Sequence, residues 1–161
     1  MSKAVIVDAS PLIILLKSDL ENILPEIFEE VFLPETVREE ILSGREDDIA
    51  KQKLPYLSWL KIPSPLIFSK NIEDYNLGKG ETAVLNLALE IPEAKIILDD
   101  HAARKCAKDL QIPFIGTGGL LILAKQKGLI STVSEALTRV QNEGLWLSDA
   151  IIEMLKEKAG E

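Results

Sequence analysis

The chain has 161 residues, of which 47% are hydrophobic and 27% are charged, so it is long enough for one domain with a buried core. Its net charge of -8 weighs against broad nonspecific binding of nucleic acid, although two bound Mg²⁺ ions would bring the charge to about -4. The single cysteine excludes an intrachain disulfide, and the longest apolar run is too short for a signal peptide or a membrane helix. We therefore expect a cytoplasmic protein that does not associate with a membrane.

The first third of the chain predicts two strand–helix pairs. "KAVIVD" (residues 3–8) is rich in valine and isoleucine without polar alternation, which is typical of a buried strand. "SPLIILLKSD" follows, with Ser10 as a candidate helix cap and Pro11 at the first helical position. "EVFLP" predicts a second strand, and "PETVREEILSG" predicts a helix that begins at Pro34 and ends near Gly44.

Residues 45–77 are irregular in sequence, whereas the elements after them are regular. Three prolines interrupt this stretch, in which "DDIAKQKL" suits a helix and "SWLKI" a short strand. Beyond it, helical patterns and apolar runs alternate. In chain order they are helix "GKGETAVLNLALE", strand "AKIIL", helix "HAARKCAKDL", strand "PFIG" and helix "GGLLILAKQKG".

Two helical patterns close the chain, "STVSEALTRVQNEG" and "SDAIIEMLKEKAG", with an isolated "LWL" between them. Strands separated by helices predict a three-layer α/β/α fold with a central, mostly parallel sheet. No internal repeat, low-complexity tract or linker divides the sequence. We therefore expect residues 1–161 to form a single domain, with the helices of about residues 131–161 as a C-terminal extension.

Polar residues follow three of the predicted strands, at the point where each strand ends. "VIV" leads to Asp8, "IIL" leads to Asp99 and Asp100, and "PFIG" leads to Thr117. Ligands of open α/β sheets bind outside the carboxyl ends of the strands, so we expect these side chains to gather at one edge. The alternative for each aspartate is a turn or helix-cap residue, a common role after a strand.

Two glutamates are placed to join the strand-end acids. In "GETAVLNLA", apolar residues at offsets of three, four and seven from Glu81 form the inward stripe of a helix, so Glu81 lies at the margin of the core. Glu40 has a similar placement, because Val37 precedes it by three residues and Ile41 follows it directly. The alternative for Glu81 is a first-turn acid that the helix dipole favours.

Together these positions form a candidate metal site made of carboxylates: Asp8, Glu40, Glu81, Asp99 and Asp100, with Thr117 nearby. Gathered carboxylates repel one another, and burial raises their pKa unless cations compensate. Hard oxygen ligands without histidine or thiolate suit Mg²⁺ or Mn²⁺ rather than zinc. Such ions activate water and clamp a phosphate, so the chemistry that fits this set best is phosphodiester hydrolysis.

Four segments carry a resemblance to a known family: "IVDASPLI", "LPETVREEIL", "GKGETAVLNLALE" and "LDDHAARKCAKDLQIPFIGTGGLLILAKQKGLI". They span most of residues 4–130, and the last segment is the most specific. The chain resembles PIN-domain proteins, and within them the VapC toxins of toxin–antitoxin systems. The resemblance implies a metal-dependent ribonuclease with a parallel sheet and an acidic pocket. It also implies Mg²⁺ or Mn²⁺ as cofactor, RNA as substrate, a small antitoxin as partner, and a homodimer or higher homo-oligomer.

The resemblance assigns roles to individual residues. Asp8 matches the first strand-end acid of the family, with Ser10 in the small hydroxyl position beside it. Asp100 best matches the third acid, and Asp99 is a second candidate for that position. The implied catalytic residues are Asp8, Glu40, Glu81 and Asp100. The implied metal ligands are Asp8, Glu81, Asp99 and Asp100.

This chain departs from the family pattern at the fourth acid, where it has Thr117. Because a hydroxyl is a weaker, neutral ligand, the alternative function is a catalytically weak or inactive PIN-like module that acts through protein partners.

Arg104 follows Asp100 by one helical turn, and we expect it to brace Asp100 by a salt bridge or to contact a phosphate.

Two further interpretations concern the aromatic residues and a rival fold. Trp59 and Trp146 are expected to pack in the core, with stacking on RNA bases as the alternative.

A receiver-type phosphoacceptor domain also places an acid pair at strand ends. That pair would follow the first strand and a lysine would follow the last, whereas here the first strand carries one acid and "PFIG" leads to threonine.

Overall fold

The structure is a computed structural model that describes residues 3–161. Its centre is a sheet of five strands in the order β3-β2-β1-β4-β5, and every neighbouring pair is parallel. The strands are β1 (Ala4–Val7), β2 (Glu30–Phe32), β3 (Leu60–Lys61), β4 (Lys95–Ile97) and β5 (Phe114–Ile115). The predicted three-layer α/β/α architecture is confirmed, and the sheet is wholly parallel in this part of the chain.

Ten α-helices connect and follow the strands of the described residues. They are α1 (Ala9–Lys17), α2 (Ile23–Ile27), α3 (Glu35–Leu42), α4 (Ile49–Lys53), α5 (Lys70–Glu73), α6 (Lys79–Glu90), α7 (His101–Asp109), α8 (Thr117–Gln126), α9 (Val133–Asn142) and α10 (Asp149–Lys158). A single 3₁₀ turn, Leu54–Tyr56, lies between α4 and β3. None of the helices in residues 3–161 has the length and apolar character that spanning a bilayer demands.

The strand β1 occupies the middle of the sheet, and all four of its residues are buried. Its neighbour β4 buries Ile96 and Ile97, because central strands of a parallel sheet are covered on both faces. From β1 the chain passes to β2 and β3 on one side, and later crosses to β4 on the other side. The carboxyl ends of β1 and β4 therefore flank the switch point at which ligands of such sheets bind.

The helix α1 begins earlier than the sequence pattern predicts. Asp8, not Ser10, is its cap residue, and Asp8 has the extended backbone (φ -81, ψ 164) of that position. Pro11 is consequently the third helical residue, where its missing N–H costs nothing because first-turn N–H groups have no intrahelical partner. The exposed Ser10 lies in the first turn, two residues after Asp8.

The helices α9 and α10 pack on α8 rather than on the sheet, with Leu155 of α10 buried. A Cβ atom on Gly118 would lie 2.6 Å from Leu155 Cδ1, so the bare backbone of α8 lets α10 approach closely. The expectation that both tryptophans are buried is wrong for Trp146, which is 81% exposed in the segment between α9 and α10. Trp59 is partly buried and packs against the core.

Candidate functional site

Asp8 lies at the carboxyl end of β1 and is only 4% exposed. Its backbone N–H donates a hydrogen bond to the carbonyl of Ile97 in β4 at 3.2 Å, which fixes Asp8 at the junction of the two central strands. Its side chain makes no capping hydrogen bond to α1. Asp8 thus occupies the cap position of α1 through its backbone, while its carboxyl group is buried at the switch point.

The environment of Asp8 is electrostatically unfavourable for a negative charge. Burial raises the pKa of Asp8 to about 7, although a hydrogen bond from the Ala9 N–H opposes the shift. The carboxylates of Glu81, Glu40 and Asp100 contribute to the same rise, and that value includes their effect. Acids that are distant in the sequence thus act on one buried carboxyl, and we call the set of Asp8, Glu40, Glu81 and Asp100 the acidic site.

Glu81 reaches this site from the first turn of α6, a helix that packs against both β1 and β4. Burial raises the pKa of Glu81, and the charges of Asp100 and Glu40 add to the effect. The N–H of Gly78 donates to Glu81 Oε2 at 3.3 Å, which lowers the pKa. Both interpretations of Glu81 therefore agree with the structure: it stabilises the start of α6 and lies at the margin of the core.

Glu40 is exposed on α3, which packs tightly against α6. A Cβ atom built on Gly80 would lie 3.2 Å from Glu40 Oε1 and 3.4 Å from a methyl group of Val37. The absence of a side chain at Gly80 therefore leaves room for Glu40 beside the first turn of α6. Sequence analysis did not assign Gly80 a role, although its position directly before Glu81 is the signal for one.

Asp100 and Asp99 are adjacent in sequence but make different contacts. Asp100 is exposed and caps α7, because its Oδ2 accepts a hydrogen bond from the Ala103 N–H at 2.9 Å. Asp99 is half-buried and engages Thr117 with both oxygens. Its Oδ1 accepts from the Thr117 N–H at 2.9 Å, and its Oδ2 accepts from the Thr117 hydroxyl at 2.6 Å. Asp99 therefore ties the end of β4 to the start of α8.

Arg104 forms its ion pair with Asp99 and not with Asp100. Its Nη2 lies 3.5 Å from Asp99 Oδ1, and its Nε donates to the carbonyl of Leu98 at 2.8 Å. A Cβ atom on Gly116 would lie 2.1 Å from Arg104 Nη2, so only glycine leaves space for the guanidinium. The expected brace is present one residue earlier than predicted, because Asp99 points toward α8 whereas Asp100 caps α7.

The donor chemistry of the acidic site suits a hard divalent cation, since it offers carboxylates without imidazole or thiolate. In residues 3–161, no three Asp, Glu, His or Cys side chains converge closely enough to form a ready-made metal site. Carboxylates repel one another when no cation compensates their charge. The residues therefore fit such an ion in chemistry, and Glu40 and the Oδ1 of Asp100 are exposed donors that a side-chain movement would have to bring closer to Asp8.

The acidic site thus lies at the carboxyl ends of β1 and β4 in an α/β protein, at the switch point where ligands of parallel sheets bind. A sequence-family model described as a PIN domain matches residues 4–161. The chain belongs to the PIN-domain family. This membership indicates nuclease activity in general terms, and PIN domains generally use divalent metal ions. A comparison with curated protein sequences gave no match.

Proposed function

We propose that the chain is a Mg²⁺- or Mn²⁺-dependent endoribonuclease that hydrolyses RNA phosphodiester bonds. The observation that supports this most strongly is the buried carboxyl of Asp8, whose pKa is raised to about 7 by burial and by three further carboxylates. A divalent cation beside Asp8 would relieve this repulsion and favour the ionised carboxylate. A bound cation would thus offset the free-energy cost of ionising Asp8 beside the other carboxylates.

Asp8 and Asp100 would hold the ion, because they lie at the carboxyl ends of β1 and β4, and Glu81 of α6 lies beside them. When bound, the ion supplies Lewis acidity to the scissile phosphate. Glu81 is the candidate general base, since its raised pKa brings it nearer to the working pH and its Oε2 is already held by Gly78. Its other oxygen, Oε1, would accept the proton of the attacking water.

Other side chains would support the acidic site without contacting the ion. Exposed Ser10, in the first turn of α1, is placed to donate its hydroxyl to a phosphate oxygen. Asp99, Thr117 and Arg104 hold the turn between β4 and α7 in position by the contacts described above. Because both oxygens of Asp99 are engaged, we assign the metal-holding role at this turn to Asp100.

We further propose that this nuclease is a cytoplasmic VapC-like toxin that a small antitoxin restrains and that forms a homodimer or higher homo-oligomer. The surface that supports a protein partner is the apolar loop, Leu66, Ile67 and Phe68, whose side chains are 88%, 74% and 62% exposed. The carboxylate of Glu90 accepts from the Leu66 N–H, and Asn86 Oδ1 accepts from the Ser69 N–H. A fixed, exposed apolar patch is typical of a protein-binding surface.

Cleavage of a labelled RNA in Mg²⁺ or Mn²⁺ tests the nuclease proposal. We expect Asp8→Asn and Asp100→Asn each to lower the rate by at least about a hundredfold, because each removes a charge that would hold the ion. Asp149→Asn is the matched control, since Asp149 is an exposed aspartate on α10. If cleavage persisted undiminished in the first two variants, the acidic site would not be the active site.

Thr117 favours a second candidate function, a PIN-like module that acts through protein partners with little catalysis. Its side chain is fully buried and its hydroxyl donates to Asp99, so it supplies no charge to the acidic site. A wild-type protein that cleaves no RNA with either metal, yet binds a partner through the apolar loop, would support this function instead.

A further inference from the structure

The side of α7 that faces away from the core is basic. The helix buries Ala103, Cys106 and Ala107 against the sheet side of the molecule. The residues at spacings of zero, three, four and seven along it share the opposite face. They are His101, Arg104, Lys105 and Lys108. A stripe of this kind is notable in a chain whose net charge is -8.

This stripe lines a shallow groove of about 440 Å³ between α7 and β5. The lining residues of this α7–β5 groove are His101, Arg104, Lys105, Lys108, Asp109 and Phe114. Three full positive charges stand against Asp109 in the lining and against Asp99, which pairs with Arg104, so the groove keeps a local excess of one positive charge. The ring of Phe114 lies beneath the guanidinium of Arg104, at 5.4 Å from the ring centre. The ring therefore supports the guanidinium from below, and the cations form the surface of the groove.

The cations of the groove differ in exposure and in ion pairing, and therefore in their availability to bind an anion. Arg104 is held by Leu98 and Asp99 and forms the floor. Lys105 is 72% exposed, and its contact with Asp109 is a long one of 3.4 Å that exchanges easily for another anion. Lys108 is exposed and forms no ion pair within the described part of the chain. Two lysines are thus available to an incoming anion.

The groove starts at the acidic site, since His101 directly follows Asp100. From there α7 runs roughly 12 Å along the side of the molecule, at about 1.5 Å per residue. The groove is thus long enough for the phosphates of a short stretch of strand that continues from the acidic site. A strand whose scissile bond lies at Asp8 and Asp100 would therefore place its neighbouring phosphates over the lysines.

We propose that the α7–β5 groove binds the phosphates of single-stranded RNA beside the bond that is cut, an inference that rests on the proposed ribonuclease function. A cationic groove that follows the phosphate backbone is one of the general means by which proteins hold single strands. The groove also resolves the conflict between an acidic chain and an anionic substrate, because the attraction is local.

Binding of a fluorescein-labelled, single-stranded RNA of mixed sequence, measured by fluorescence anisotropy in EDTA to prevent cleavage, tests the groove. We expect the double variant Lys105→Glu/Lys108→Glu to weaken binding at least about tenfold. The neutral pair Lys105→Gln/Lys108→Gln should reduce the slope of log K against log salt by about 1.4, or about 0.7 per lost phosphate contact. Lys105→Arg/Lys108→Arg should retain the wild-type affinity.

The matched control is Lys127→Glu/Lys158→Glu, which changes the net charge equally at two exposed lysines outside the groove. If this control weakens binding as much as the groove variant, the effect is one of overall charge and the groove proposal is wrong.

Cleavage assays separate the failure of this proposal from failure of the proposed function. A wild type that binds RNA through Lys105 and Lys108 but cleaves none would keep the groove and overturn the ribonuclease. A wild type that cleaves RNA, with an unchanged KM in the groove variants, would keep the ribonuclease and overturn the groove.

Discussion

Asp8 carries its carboxyl group into the interior at the end of β1, where burial and three neighbouring carboxylates raise its pKa to about 7. An unfolded aspartate has a pKa near 3.8, so the folded protein binds more protons than the unfolded chain between about pH 4 and pH 7. The free energy of unfolding should therefore fall as the pH rises through this window in metal-free buffer, and level off above it. The ionised carboxyl of Asp8 therefore makes the folded protein less stable at neutral pH and above.

We expect Asp8→Asn to remove the part of this dependence that Asp8 contributes, leaving that of Glu81, and to unfold at higher urea concentration than the wild type at pH 8. The rise of the Asp8 pKa from 3.8 to about 7 corresponds to an upper bound on the order of 4 kcal/mol. Urea unfolding of both proteins at a series of pH values, with Asp149→Asn as control, measures the difference. A wild type and an Asn variant that respond identically to pH would show that Asp8 is not destabilised by its charge.

The link between β4 and α8 is the element on which the placement of Asp100 depends. Thr117→Val keeps the shape of the side chain but removes the hydroxyl that donates to Asp99 Oδ2 at 2.6 Å. An acceptor left without its partner in a partly buried place costs about 1–3 kcal/mol, and we expect a loss of that size in urea unfolding. RNA cleavage should fall with it, because the turn that carries Asp100 loosens.

Thr117→Ser is the control for this link, since it keeps the hydroxyl and loses only a methyl group. Cleavage in the Ser variant should stay close to that of the wild type. If the Val variant were as stable and active as the Ser variant, the hydroxyl bond would have no role in positioning the turn.

The sequence was informative about elements with a clear period and about acids at strand ends. The apolar run of β1 and the stripe of α6 predicted their burial, and Asp8, Glu40, Glu81 and Asp100 do influence one another. The helices α2 and α5 were missed because five and four residues are too few to show a helical period. Asp99 and Asp100 were not separable, because two adjacent aspartates differ only in where their side chains point.

Whole-molecule organisation was also predictable only in part. Alternating strands and helices predicted the layers, but the exposure of Trp146 depends on how α9 and α10 pack, which its apolar neighbours do not reveal. The apolar loop is another such case. Its sequence suits a core segment, yet the bonds from Leu66 and Ser69 to α6 hold it on the surface.

At the scale of the whole molecule, the apolar loop predicts self-association or binding of a protein partner. We expect Leu66→Ser/Phe68→Ser to weaken homo-oligomer formation at least about tenfold in sedimentation equilibrium, because apolar contact area is lost from the interface. Stability should change by less than about 0.5 kcal/mol per site, since both side chains are exposed. Tyr56→Ser, at another exposed large side chain, is the control and should associate like the wild type. Equal association of all three proteins would exclude the loop as the oligomer interface.

The short contact between Asp99 and the Thr117 side chain carries an evolutionary corollary. An aspartate in place of Thr117 would bring two carboxylates face to face in a half-buried setting, where one of them would have to take up a proton or move away. Homologues with an acid at the position of Thr117 should therefore either lack the acid at the position of Asp99 or bind a cation between the two carboxylates. Homologues in which both positions are acidic and no cation binds between them would show that the two carboxylates tolerate each other.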